Sequence, residues 1–178
     1  MTWVDQLKNS LPDSVSDVKL SLDLIQHSQL QPEEAEAVAL AAAYAQGNSR
    51  FVKWLDSMIA NRQEAQAAIS AASLTIMDTV YSPFIVTSMQ WGPWDAGILE
   101  SLNSVPRKLS MSAVLTHGGT TQARFELYCL AASAITRFWL QILRLYTSLQ
   151  DQGYTVEQLR DAAQIAAVIA SVSKVWDN

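Results

Sequence analysis

The chain has 178 residues, of which 49% are hydrophobic and 16% are charged, so it can bury a core and is not a disordered tail. Its net charge is −5 and no lysine or arginine cluster is present, which argues against a nucleic-acid-binding face and a polybasic membrane anchor. We therefore expect neither nucleic acid nor a membrane as a partner. Six glycines and five prolines are few turn residues for a many-stranded β fold.

The start of the chain, Met1–Asp5, lacks the basic and apolar regions of a secretory signal. The longest uncharged stretch, Thr79–Trp94, contains two prolines and several polar residues, so it is not predicted to form a lipid-spanning helix. The single cysteine, Cys129, forbids an internal disulfide and fits a reducing compartment. We expect a cytoplasmic protein.

Apolar residues recur at helical spacing along almost the whole chain, and no convincing strand is found. In chain order, helices are predicted from Pro12 to Ile25, Pro32 to Ala45, Phe51 to Ile59, Glu64 to Thr79, Phe84 to Gln90, Lys108 to Thr116, Gln122 to Ile135, Thr136 to Gln150 and Thr155 to Trp176. The stretch between Trp91 and Arg107 is the least regular.

Several helix boundaries are marked by residues that typically end, break or cap a helix. Gly47 is a helix stop, and Ser82-Pro83 should break or kink the fourth helix. The last helix opens with a capping box formed by Thr155 and Gln158.

The pattern predicts one all-α domain over residues 1–178, with similar halves at roughly 1–92 and 93–178. Ala71-Ala72-Ser73 recurs 60 residues later as Ala131-Ala132-Ser133. Fixed-offset similarity marks repeat architectures, although chance matches in an Ala/Ser-rich chain are the alternative.

No metal or cofactor motif is found, and we predict neither. The two histidines, His27 and His117, are far apart, and no HExxH, CxxC or phosphate-binding glycine loop is present. Cys129 has no resolving cysteine, and no histidine is near it in sequence, so we interpret it as a small buried apolar residue.

Three segments resemble alkylhydroperoxidase D proteins in their order and spacing. They are Leu7–Leu22 at the start, Arg124–Ile135 in the second half and Val156–Ala170 near the end. The resemblance covers nearly the whole chain and is patchy between residues 50 and 115. It implies a duplicated all-α fold and assembly into trimers or larger oligomers.

The resemblance also implies where an active site would be. Family chemistry uses a CxxC pair, a histidine further along the same helix and a glutamate twelve residues before the first cysteine. Those positions are occupied here by Glu126, Phe138, Gln141 and Leu145. Phe, Gln and Leu are not peroxide-reducing nucleophiles, so the family's peroxidase activity is not expected.

What replaces this site suggests an apolar, aromatic-lined pocket. The candidate lining residues are Trp91, Trp94, Phe138, Trp139 and Tyr146, with Glu126, Arg137 and Gln141 as polar handles. The alternative is that these large side chains fill the former site. Glu126 is either a relic or the partner of Arg124, Arg137 or Arg144.

The leading hypothesis is a non-catalytic, oligomeric binding or scaffold protein, with a trimer favoured and a small apolar ligand. One alternative is an enzyme with non-thiol chemistry that uses Glu126 and Arg137. The other is alkylhydroperoxidase-like antioxidant activity through Cys129.

Overall fold

The computed structural model describes residues 2–90 and 109–176, the side chains of residues 83–90 excepted. This part of the chain is helical almost throughout and has no strand, which confirms the predicted all-α fold. The helices are α1 (Trp3–Ser10), α2 (Ser16–Ser21), α3 (Asp23–His27), α4 (Pro32–Gln46), α5 (Ser49–Met58), α6 (Arg62–Gln90), α7 (Ser112–Thr116), α8 (Gln122–Thr136), α9 (Trp139–Asp151) and α10 (Val156–Val175). None of the helices in the described ranges is long and apolar enough to cross a membrane.

The core is built from four long helices. Helices α4 and α8 contact each other, and each also packs on α6 and α10. Alanine dominates these contacts: residues 37–43 of α4 are fully buried, as are Ala67, Ala71 and Ala132. Small side chains let helices approach closely, and a helix that is apolar all round must lie inside the fold. The shorter helices α5 and α9 cover α4 and α8 respectively.

The N-terminal region differs from the sequence prediction in two ways. Helix α1 was not predicted, although its capping box joins Thr2 to Asp5, and Val4 and Leu7 on its inner face are buried. The helix predicted from Pro12 to Ile25 is instead a 3-10 turn followed by α2 and α3. Leu22 and Ile25 are buried in the core, so this segment does contribute to it, but the single continuous helix predicted there is wrong.

Helix α6 runs unbroken through Pro83 to Gln90. The predicted break at Ser82-Pro83, with separate helices ending at Thr79 and beginning at Phe84, is therefore wrong. Proline removes one backbone hydrogen bond, and the helical residues on both sides retain theirs.

The boundary predicted between Ile135 and Thr136 is close to the observed end of a helix, but the next helix begins later than predicted. Helix α8 ends at Thr136, Arg137 adopts a left-handed conformation with φ of 58°, and α9 begins only at Trp139. The Phe138 N–H donates to the Ser133 carbonyl at 3.1 Å, which closes the end of α8. Phe138 is thus the N-cap of α9 rather than a residue within a helix that starts at Thr136.

Helices α4–α6 and α8–α10 follow one another in similar fashion. A left-handed residue separates the first two helices of each set, Gly47 in one and Arg137 in the other. This succession does not follow the 60-residue offset of the sequence matches. Division into halves 1–92 and 93–178 stays a prediction.

Candidate functional site

A cavity of about 200 Å³ lies between α6, α7, α8 and α9. Its apolar lining residues are Leu74, Met111, Val114, Phe125 and Leu145. Its polar lining residues are Thr75, Asp78, His117, Gln122, Glu126, Cys129, Gln141 and Arg144. The described wall is therefore mixed in polarity rather than aromatic.

Glu126 is held at this cavity by three protein donors. Its Oε2 accepts hydrogen bonds from Ser148 Oγ at 2.6 Å and Gln152 Nε2 at 2.7 Å, and its Oε1 accepts one from Gln122 Nε2 at 2.8 Å. Two of these donors come from α9 or its C-cap, so the carboxylate joins α8 to α9. The expected arginine partners are not among its hydrogen bonds within the described ranges, and Arg124 pairs elsewhere.

Gln141 and Leu145 face the same cavity from the beginning of α9. They are four residues apart, which places them on one side of the helix. Leu145 is 3% exposed and Gln141 is 9% exposed. The Gln141 Oε1 atom is buried and accepts no hydrogen bond from the described part of the chain.

Cys129 lies in the wall of the cavity, one turn after Phe125. The thiol is buried, and its Sγ is 3.9 Å from the Ala71 carbonyl oxygen. Burial raises the pKa of the Cys129 thiol to about 12, and the nearby Thr75 hydroxyl only partly opposes this. A thiol with such a pKa is protonated near neutral pH and is a poor nucleophile.

The turn after α7 brings His117 to the cavity. His117 is left-handed with φ of 50°, and its ring centroid is 6.2 Å from that of Phe125. Gly118 follows with φ of 60°, and a Cβ there would lie 2.9 Å from Ala67 Cα. Glycine therefore lets this turn pack directly on α6.

Several residues expected in the pocket do not line this cavity. Arg137 and Trp139 are exposed, the latter at 63%, so they lie on the outer side of this turn, while Phe138 between them is buried. Phe138 is buried at the N-cap of α9, and Tyr146 packs against the hydrophobic core. Trp91 and Trp94 lie outside the described residues.

A second polar cluster is buried on another side of α8. Glu64, only 7% exposed at its side chain, accepts from Arg124 Nη1 at 2.7 Å, Tyr128 OH at 2.5 Å and Thr120 Oγ1 at 2.8 Å. Burial pushes the pKa of Glu64 up, but these hydrogen bonds outweigh it, so the pKa lies below its usual value. Burial and the Glu64 carboxylate raise the pKa of Tyr128, which therefore stays a phenol that donates.

The same arginine connects this cluster to α4. Arg124 Nε is 3.4 Å from Glu34 Oε1, which also accepts a hydrogen bond from Tyr154 OH at 2.7 Å. Glu34 is 8% exposed at its side chain. Arg124 thus lies between two buried carboxylates and joins the beginnings of α4, α6 and α8.

Sequence reasoning found three of the cavity residues, Glu126, Gln141 and Leu145, through the family resemblance. It missed the others, although helical periodicity offered a signal. Gln122, Phe125, Glu126 and Cys129 form one stripe on α8, and Arg144 extends the stripe of Gln141 on α9. Asp78 and Thr75 come from α6, and no local pattern links that helix to this site.

The lining offers groups for hydrogen bonding and for acid–base chemistry. Within residues 2–90 and 109–176, no three His, Cys, Asp or Glu side chains are grouped so that they could hold a metal ion.

Comparison with known proteins gives a consistent result across curated relatives. An alkyl hydroperoxide reductase AhpD from Rhodospirillum centenum is 31% identical over 178 residues, covering 98% of this chain and 90% of that protein. The proteins of the same name from Maricaulis maris and Methylocella silvestris are 31% and 30% identical, covering 97% and 96% of this chain and 96% and 92% of their own. No protein-family profile matches the chain. Identity of this extent over nearly the whole length shows that the chain belongs to the alkyl hydroperoxide reductase AhpD family.

Proposed function

We propose that this chain is an AhpD-family protein without thiol-peroxidase chemistry, which binds a small molecule in the cavity between α6 and α9. The observation that carries the proposal is the pair Gln141 and Leu145, which line this cavity beside Glu126. The resemblance assigns a cysteine and a histidine to these two positions. An amide and an alkyl side chain supply neither a sulfur nucleophile nor an imidazole base.

Cys129 does not replace the missing thiols in this proposal. One cysteine cannot close an intramolecular disulfide, and its buried thiol has a pKa of about 12. The thiolate, which is the reactive form, is therefore scarce at neutral pH.

The test is peroxide consumption by the purified chain with a dithiol or lipoyl reductant. We expect no turnover above that of a Cys129→Ser variant. A turnover that the wild type has and Cys129→Ser lacks would overturn the proposal.

The assignment of the motif positions has its own test. Phe138 is the N-cap of α9 and Gln141 lies in its first turn, where a helix N-terminus stabilises a thiolate. In the double variant Phe138→Cys with Gln141→Cys, we expect mild oxidant to form a disulfide between the two new cysteines. The two single variants are the controls, and circular dichroism checks that each protein is folded. A folded double variant that stays reduced would show that the motif register is wrong.

We further propose a homo-oligomer, with the trimer favoured, in the cytoplasm. Exposed apolar side chains support association: Trp139 is 63% exposed, Leu143 60% and Leu115 83%. In this proposal the protein is non-catalytic and its oligomer serves as a scaffold.

An enzyme with non-thiol chemistry is the second candidate. Asp78, Glu126 and Arg144 are among the ionisable side chains that line the same cavity, and Arg144 supplies the arginine that was expected from Arg137. If a bound molecule is converted by the wild type and left unchanged by Glu126→Gln, this candidate replaces the binding role.

A further inference from the structure

A second cavity, of about 300 Å³, lies between the beginning of α4 and the N-terminal helices α1 and α3. The exposed side chains of Thr2 and Gln26 lie at its rim, where Gln26 Nε2 donates to Thr2 Oγ1 at 2.8 Å. Its floor is apolar and buried, and consists of Val4, Ile25, Leu30 and Ala35. Among the described residues that line this cavity, Glu36 is the one with an ionisable side chain.

The cavity beside Glu36 occupies the same place on α4 as the cavity beside Glu126 does on α8. Both helices have 15 residues, and each is followed by a left-handed residue, a single N-cap residue and then another helix. Counted from the first residue of each helix, the lining residues match: Pro32 matches Gln122, Ala35 matches Phe125, and Glu36 matches Glu126. The same side of both helices therefore borders a cavity, with a glutamate at the same position.

The two glutamates differ in their contacts. Glu126 accepts hydrogen bonds from three side chains of the protein. Glu36 is half-buried beside the Trp3 indole, and no lysine, arginine or histidine of the described ranges forms an ion pair with it. Glu36 is therefore a carboxylate in a cavity wall whose charge is not balanced by a neighbouring cation.

The electrostatic surroundings of Glu36 favour a positive charge. Burial raises the pKa of the Glu36 carboxyl, the Trp3 indole opposes that rise, and the Glu33 carboxylate adds to it. A cation placed in the cavity would stabilise the ionised carboxylate, and it would meet no like charge among the described lining residues.

The size of the cavity limits what the cation can be. A cavity of about 150 Å³ lined by apolar side chains holds benzene. The cavity beside Glu36, at about 300 Å³, therefore has room for a ring or a short alkyl chain that carries an amine.

We propose that this cavity binds a small organic ammonium ion, whose N–H groups donate to the Glu36 carboxylate and whose apolar part lies on the buried floor. The inference goes beyond the proposed function, which concerns the cavity beside Glu126, and does not depend on it.

The test compares three probes of nearly the same size on the full chain near neutral pH. Benzylammonium carries the positive charge, benzyl alcohol keeps a hydrogen-bond donor without a charge, and benzoate carries a negative charge. The backbone amide signals of Gln26, Leu30 and Ala35 report binding in a chemical-shift titration. We expect benzylammonium to bind about tenfold or more tightly than benzyl alcohol, because hydrogen bonds between charged partners are stronger than those to a neutral donor. Benzoate should bind most weakly.

Two glutamate variants make the test specific. Glu36→Gln removes the charge, keeps the shape of the side chain, and should abolish the preference for benzylammonium over benzyl alcohol. Glu157→Gln makes the same change at an exposed position in the first turn of α10 and should keep the preference. A thermal melt checks that both variants are folded, and the wild-type affinity ratio tests the proposal even without them.

Three results would overturn the inference. The first is equal affinity of the wild type for benzylammonium and benzyl alcohol, and the second is an unchanged preference in folded Glu36→Gln. The third is a titration in which benzylammonium shifts signals only around Glu126, or none at all, because the cavity beside Glu36 would then not be its site.

Discussion

Replacing Arg124 with methionine is expected to destabilise the fold strongly, because two buried carboxylates lose their cation. Arg124 Nη1 lies 2.7 Å from Glu64 Oε1, and its Nε lies 3.4 Å from Glu34 Oε1. Both glutamate side chains are less than a tenth exposed. Methionine keeps the apolar stem of the side chain and removes only the guanidinium.

The magnitude follows from the cost of an unpaired buried charge. Removing one partner of a buried ion pair costs about 3–5 kcal/mol. Arg124 is itself 28% exposed, so water partly compensates and we expect the lower end, about 3 kcal/mol. For a chain of this length that corresponds to a fall of roughly 6–12 °C in Tm.

The pKa of Glu64 determines how the stability difference between wild type and Arg124→Met changes with pH. The pKa of Glu64 lies below the usual 4.5 in the folded chain. Its ionised form therefore contributes stability above pH 4.5, and this contribution is lost as the pH falls through the folded pKa. In the variant the carboxyl has no cation to keep it ionised. The difference between wild type and variant should thus be large at pH 7 and shrink as the pH falls below about 4.5.

The assay is urea unfolding, followed by circular dichroism, at a series of pH values from 7 down to below the folded pKa of Glu64, which itself lies under 4.5. Arg160→Met on α10 is the matched control, because Arg160 is exposed and surface ion pairs contribute at most about 1 kcal/mol. A loss below about 1 kcal/mol for Arg124→Met at pH 7, or the same loss at every pH, would refute the reasoning.

Three further predictions concern the core, the assembly and the thiol. Leu145→Ala should cost about 2–5 kcal/mol in urea unfolding because Leu145 is 3% exposed, whereas Leu143→Ala, at a 60% exposed position, should cost far less. Light scattering in dilute buffer should give a mass that is a multiple of 19.6 kDa, with three copies favoured, and a mass of one copy alone would contradict this. Cys129 should react with an aromatic disulfide reagent only when the chain is unfolded, because burial raises its pKa to about 12; fast reaction in the folded state would count against that burial.

Helix boundaries were predictable where a single side chain determines them. Gly47 ends α4 in a left-handed conformation, as its lack of a Cβ allows, and Thr155 caps α10 together with Gln158. The helix break predicted at Pro83 is wrong because a proline affects the backbone only locally. One lost hydrogen bond costs less free energy than the helical residues on either side of Pro83 contribute. That comparison cannot be made from the sequence alone.

The cavity and the buried ion cluster depend on contacts between distant parts of the chain. Arg124 and Glu64 lie on different helices, and their pairing requires α6 and α8 to be packed side by side. The sequence instead offered Arg124, along with Arg137 and Arg144, as a candidate partner of Glu126, from which Arg124 is only two residues away. Residues two apart on a helix do not face each other, so α8 directs one toward Glu64 and the other toward the cavity.

The turn at Arg137 determines where the positions that the resemblance assigns to the family's reactive residues lie in this fold. An arginine is an unusual residue in a left-handed conformation, so the predicted boundary between Ile135 and Thr136 did not include a turn at Arg137. The consequence is that α9 begins at Trp139, with Phe138 as its cap and Gln141 in its first turn. Partial positive charge at the first turn of a helix stabilises a thiolate, but neither position carries a sulfur atom. The two positions lie at the beginning of a helix, but their side chains are an aromatic ring and an amide, and Leu145 lines the same cavity as Glu126. The binding role that we propose is consistent with both observations, because the cavity and its carboxylate are present without a cysteine or a histidine at the assigned positions.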